Sequence, residues 1–162
     1  MRKILFLDID GVLNISGKTY ITAMHQEGLM ERHLVQRFNY LVSHVKDIEI
    51  VISSSWRTNM DDLKDELEKS GFLYWDKVIG RTAVDFISSA QKRGLQIQRW
   101  IDENVVSIPG TFVSGVDAHI AILDDELFDL HKVFEQKDLF ILDPSSGLDE
   151  KTVLEICYKF RE

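Results

Sequence analysis

Residues 4–14, ILFLDIDGVLN, place two carboxylates, Asp8 and Asp10, directly behind an apolar run. Ile4 to Leu7 reads as a buried parallel strand, because a strand covered on both faces is continuously apolar. In open parallel sheets, ligands bind beyond the carboxyl ends of the strands, which is where these aspartates fall. Two positions apart in extended chain, they share a face. Like charges so placed repel unless a cation lies between them or one carries a proton. Oxygen-only ligands suit Mg²⁺, which takes one or two carboxylates together with waters and a substrate phosphate. A nucleophile with an acid/base partner is the other chemistry open to such a pair.

A second acidic pair, Asp124–Asp125, follows the apolar run HIAIL and repeats the arrangement. If the two strands are sheet neighbours, Asp8, Asp10, Asp124 and Asp125 converge as candidate metal ligands. A third run, IEIVI, ends in Ser53, Ser54 and Ser55, with Arg57 close behind. Ser53 stands where it can donate a hydrogen bond to a bound oxyanion. Ser54 and Ser55 can open a helix whose free N–H groups attract anions. Arg57 adds a possible phosphate contact. A phosphate among carboxylates also needs a fixed cation. Lys92 and Arg93, ahead of HIAIL, are the candidates, with Arg81 of IGRT behind them. Asp143 ends a further apolar run and is a candidate for the rim.

The elements that must hold these residues alternate. Strands are expected over 4–9, 48–52, 77–80, 119–123 and 139–142, the last closed by Pro144. Leu34, Phe38, Leu41, Val42 and Val45 share one helical face. Leu63 and Leu67 precede Gly71, a helix-terminating glycine. Residues 91–102 carry Leu95, Ile97, Trp100 and Ile101 at helical spacing. Asp149 is placed to cap a last helix running to about Phe160. This alternation predicts a three-layer α/β sandwich around a parallel sheet. Residues 14–30 lack periodicity and follow the aspartate pair, so they are expected to form a short lid. Residues 107–117 read as a loop.

The chain has 162 residues, which fits one domain with a real core. Its formal net charge of −8 argues against an extended nucleic-acid or anionic-membrane surface, while leaving room for a local basic pocket. Cys157 is the single cysteine, so no intrachain disulfide forms, and a cytoplasmic setting is expected. The apolar start is cut by Asp8, too early for a signal peptide or a membrane span. His25, His33, His44, His119 and His131 show no metal-ligand spacing. Cys157 shares an apolar stripe with Leu154 and Phe160, and Trp56, Trp75 and Trp100 read as packing residues.

Taken together, FLDIDGVLN resembles the DxDGx(T/V) signature of the haloacid dehalogenase (HAD) superfamily of phosphatases. Ser53 resembles its second motif, the basic residue before the fourth strand its third, and LDD its fourth. The resemblance runs from Lys3 to about Phe160. The landmarks SSSWR, GRT, RGxxI…W and LDD are similar to small bacterial-type members, including domains found in RNA-repair contexts. The third motif is usually a lysine, whereas here Arg93 aligns best, with Lys92 beside it.

The resemblance implies a Rossmann-like sheet of order 5-4-1-2-3 without a large cap. It also implies Mg²⁺ held by Asp8, the Asp10 backbone carbonyl, and Asp124 or Asp125. Asp8 would be the nucleophile that forms an aspartyl-phosphate, and Asp10 the acid/base group. The implied substrate is a phosphomonoester, either a small phosphoester or a nucleic-acid end. A HAD fold that binds a partner with little turnover is the alternative. A receiver-like domain is disfavoured, because its phosphoacceptor strand would correspond to the one ending in Ser53.

Overall fold

The computed structural model describes residues 1–15, 30–83, 92–105 and 118–161. The apolar runs become strands β1 (Arg2–Leu7), β2 (Ile48–Ile52), β3 (Val78–Arg81), β4 (Ala118–Asp124) and β5 (Leu139–Ile141). They form one parallel sheet in the order β3-β2-β1-β4-β5, the expected order read from the other edge. Helices α1 (Arg32–His44), α2 (Met60–Lys69), α3 (Arg93–Asn104), the single turn α4 (Leu130–Val133) and α5 (Glu150–Lys159) lie between and after the strands. The expected lid falls outside the described residues apart from Asn14, Ile15 and Met30, and so does the 107–117 loop.

Alternation along β1 builds both faces of the sheet. Leu5 and Leu7 join the cluster that contains Leu34, Phe38 and Leu41 of α1, Leu63 and Leu67 of α2, and Val153 and Ile156 of α5. Ile4 and Phe6 join the opposite cluster with Ile97, Trp100 and Ile101 of α3. Phe6 meets Trp100 edge to face, with ring centroids 5.5 Å apart. Both faces of the central strand are therefore sealed, which explains its unbroken apolar run. A fully buried Leu or Phe here stabilises the fold by about 1.5–3 kcal/mol.

The helix ends follow local chemistry. Asn59 accepts the Asp62 N–H at the start of α2, and Asp149 accepts the Thr152 N–H at the start of α5. Cys157 is buried in the core. No helix among the described residues is long and apolar enough to cross a membrane.

β1 ends at Leu7, two residues before the expected end at Ile9. The chain turns after Leu7, the N–H groups of Val12 and Leu13 both return to the Ile9 carbonyl, and Gly11 takes φ +78°. Asp8 thus sits on the last rung of the ladder, and Asp10 lies in the turn.

Candidate active site

Register brings the motif residues to one level. Leu7 pairs with Ile52 on one side and Leu123 on the other, so the next residues are Asp8, Ser53 and Asp124. The ladder reaches one step further, with Asp8 N–H donating to the Leu123 carbonyl (2.9 Å) and Ser53 N–H to the Leu7 carbonyl (3.0 Å). On the far side of β2, Thr82 N–H donates to the Ile52 carbonyl (3.0 Å). Gly11 is required twice over. Its φ lies in the left-handed region, and a Cβ there would run into the Asp125 carboxylate.

One carboxylate oxygen from each of Asp8, Asp124 and Asp125 lies within 4.8 Å of the others. Asp8 and Asp124 are buried, and Asp125 is partly so. Arg93 Nη1 bridges the buried pair, 2.7 Å from Asp124 Oδ2 and 3.2 Å from Asp8 Oδ1. One cation does not balance three carboxylates. Burial, reinforced by Asp124, holds the Asp8 carboxyl well above the usual carboxylate range despite Arg93. Burial also raises Asp124, although Arg93 and the Glu126 N–H oppose it. Arg93 is itself disfavoured by burial, but Asp124 and Asp8 more than compensate and hold its charge firmly. Crowded hard oxygens with surplus negative charge fit a divalent cation of the Mg²⁺ type.

Two buried donors face the opposite shortage. Ser53 Oγ and Arg93 Nε have no hydrogen-bond partner among the described residues, although both residues are buried. Buried polar groups are nearly always paired. Two unpaired donors at a carboxylate cluster fit an oxyanion that accepts from both.

The remaining expectations fall out unevenly. Asp10 is exposed and its side chain is not part of the cluster. Its Oδ1 accepts from Asn14 Nδ2 (2.8 Å) and Trp56 Nε1 (3.2 Å). The shared-face reasoning assumed extended chain through residue 10, and the turn removes that premise. Trp56 is therefore more than a packing residue. Ser54 caps the single 3₁₀ turn Ser55–Thr58 by accepting the Trp56 N–H. Arg57 lies beneath that turn, almost fully buried, and donates to the carbonyls of Ser53 (2.8 Å) and Ser54 (3.2 Å) and to Gln96 Oε1 (3.1 Å). Arg81 is exposed and donates to the Arg57 carbonyl (2.6 Å). Lys92 is exposed at the N-cap of α3, so Arg93 is the cation that the fold brings to the aspartates. Asp143 closes its own turn with Ser145, and that hydrogen bonding lowers its pKa.

Two residues of the site escaped the sequence reading. Asp129 accepts the Gly94 N–H (2.6 Å) and the Leu95 N–H (3.2 Å), fixing the first turn of α3. Phe128, at φ +44°, lays its ring 4.7 Å from the Arg93 guanidinium carbon. The pair clamps Arg93 through its helix and its cationic face. The link spans 35 residues, and the one faint signal was an acidic residue soon after LDD. Chemistry locates this site better than volume does. A cavity of about 1100 Å³ lies between β5 and α5, but none of the buried charged residues lines it.

The arrangement is a strand-end carboxylate cluster with one clamped guanidinium and a buried hydroxyl beside it. No curated protein and no solved structure matches the chain. A family model described as the HAD domain in Swiss Army Knife RNA repair proteins matches residues 4–153, which takes in β1, the Ser53 turn, Arg93, the Asp124–Asp125 pair and the start of α5. The chain belongs to that family of HAD domains.

Proposed function

We propose that the protein is a Mg²⁺-dependent phosphohydrolase that cleaves phosphomonoesters through an aspartyl-phosphate on Asp8. The observation that carries this reading is the meeting of buried Asp8, Arg93 and the unpaired Ser53 hydroxyl at one strand level. An Asp8 carboxylate oxygen attacks phosphorus as the ester oxygen leaves, and Asp10 gives the leaving oxygen its proton. Asp10 then takes a proton from water, whose oxygen attacks the same phosphorus, releasing phosphate and restoring Asp8. Asn14 and Trp56 hold Asp10 Oδ1 and so orient the carboxyl for both transfers. Ser53 and Arg93 hold phosphoryl oxygens, and Phe128 with Asp129 keeps Arg93 in place.

Asp8, the Asp10 carbonyl, and Asp124 or Asp125 would hold the metal. When bound, Mg²⁺ supplies charge neutralisation on the transferring phosphoryl group. Membership in a family named for RNA repair favours a phosphorylated nucleic-acid end as substrate. A cytoplasmic setting suits such work.

The test is hydrolysis of p-nitrophenyl phosphate with Mg²⁺, followed by a panel of nucleotides, sugar phosphates, phosphopeptides and oligonucleotides phosphorylated at either end. Turnover that disappears with EDTA and is highest on oligonucleotide ends supports the reading. Turnover that persists in EDTA removes the metal from it. An inert protein across the whole panel leaves the partner-binding alternative.

A further inference from the structure

We propose that the cavity between β3 and α3 is a second phosphate-binding subsite. It would take the backbone phosphate next to the reacting one in a nucleic-acid strand. The substrate assignment rests on the phosphohydrolase reading, whereas the cavity's preference for a phosphate stands on its own lining.

Position comes first. The row of strand-end residues Asp124, Asp8 and Ser53 continues onto β3 as Thr82, whose N–H pairs with the Ile52 carbonyl. Two strand spacings separate β3 from β1, roughly 10 Å, which a neighbouring nucleotide of the same strand can span. The cavity holds about 660 Å³ and is lined by Arg57, Arg81, Thr82, Gln96 and Arg99 among others. That size lies within the range of ligand pockets, roughly 300–1,000 Å³.

The lining then selects the ligand. Thr82 is 1% exposed and Gln96 is 3% exposed, yet Thr82 Oγ1 and Gln96 Nε2 have no hydrogen-bond partner among the described residues. The Gln96 amide is not free to turn round, because its Oε1 accepts from Arg57 Nη2 at 3.1 Å. Its unpaired atom is therefore a donor. Glu103, the acidic residue in the described lining, already accepts from Arg99 Nε at 2.9 Å. An unpaired amide donor and a hydroxyl able to donate, beside guanidinium groups, suit a ligand that accepts, such as a phosphodiester oxygen. The site also suits a chain of formal net charge −8, in which a local cluster of guanidinium groups is the economical way to hold a nucleic acid. Arg57, which lines the cavity, also donates to the Ser53 and Ser54 carbonyls and so ties the cavity to the strand end that carries Ser53.

The experiment uses Thr82→Val, which removes the hydroxyl without changing shape. It also uses Gln96→Glu, which keeps an acceptor for Arg57 but replaces the donor with a negative charge. Arg81→Met, at an exposed position, is a third variant that leaves the core untouched. Binding of a fluorescent, terminally phosphorylated single-stranded RNA is followed by anisotropy in the Asp8→Asn background. Turnover of the same oligonucleotide is compared with that of p-nitrophenyl phosphate in the Asp8 protein.

Each variant is expected to weaken RNA binding about tenfold and to lower the ratio of oligonucleotide to p-nitrophenyl phosphate kcat/KM by a similar factor. Unchanged affinity and an unchanged ratio in folded variants overturn the subsite. If inorganic phosphate, titrated by calorimetry, loses a binding event in the variants while RNA affinity stays constant, the pocket is a free-anion site and the nucleic-acid assignment falls. If the unmodified protein hydrolyses nothing, the phosphohydrolase reading fails. The anisotropy series then still decides the subsite.

Discussion

The two halves of the sheet's carboxyl edge have opposite shortages. Around β1 and β4, Asp8, Asp124 and Asp125 crowd acceptors around a single guanidinium, and burial drives the Asp8 and Asp124 pKa values upward. Around β2 and β3, the Ser53 and Thr82 hydroxyls and Gln96 Nε2 can donate, and none has a partner among the described residues. One side lacks positive charge and the other lacks acceptors. Under the proposed reading, a phosphate bound together with a divalent cation would answer both shortages. Both sides are parallel ladders, continuous between β1 and β4 and shifted in register between Ile50 and Val51 where β2 meets β3. The side chains at their final rungs make the difference.

The largest expected effect breaks the acceptor side at its centre. Asp8→Asn should lower p-nitrophenyl phosphate turnover by at least about two orders of magnitude, because the amide cannot attack phosphorus. A variant with full activity removes Asp8 as the nucleophile. Next comes the backbone that lets the acceptors crowd. Gly11→Ala combines a left-handed φ with a collision against Asp125 and should cost roughly 2–4 kcal/mol in urea unfolding. A cost near zero would mean that the turn relaxes easily and that the crowding is not built in.

The donor side should respond differently. Ser53→Ala removes a buried hydroxyl that has no partner, so stability should stay within about 0.5 kcal/mol while kcat/KM falls roughly tenfold. A clear loss of stability with unchanged kcat/KM would make Ser53 a structural residue and erase the contrast.

The smallest effect is a pH slope. The folded protein holds a proton on Asp8 more tightly than the unfolded chain does, because burial raises its pKa. The associated stability is complete below the ordinary carboxylate range and is lost as pH rises through the raised value. Metal-free protein should therefore melt at falling temperature across that span, and Mg²⁺ should restore more of the Tm the higher the pH. Asp8→Asn should flatten the slope. Thermal melts in EDTA and in Mg²⁺ check it, and an identical slope in the variant assigns it to another group.

Much of this was legible in the residues. Continuous apolar runs require strands sealed on both faces, and their alternation with amphipathic helices leaves a parallel sheet as the way to bury them. DxDG, Ser53 and LDD follow three such runs, so their types and order already placed carboxylates and a hydroxyl together at the strand ends. The choice among near-equivalents was not legible. Lys92 and Arg93 are adjacent and both basic, and the start of α3, held by Asp129, decides which one reaches the aspartates. The Asp10 side chain stays out of the carboxylate cluster because the chain turns at Gly11. Arg57 goes beneath the serine turn because its carbonyls and Gln96 converge there. The sequence by itself determined which residue types stand at the strand ends, and so which chemistry is open to them, since that depends on residue type and local pattern. Only the tertiary structure decided which side chains share it, because contacts such as Arg93 with Asp124 and Arg57 with Gln96 join elements 31 and 39 residues apart, and no local pattern encodes their meeting.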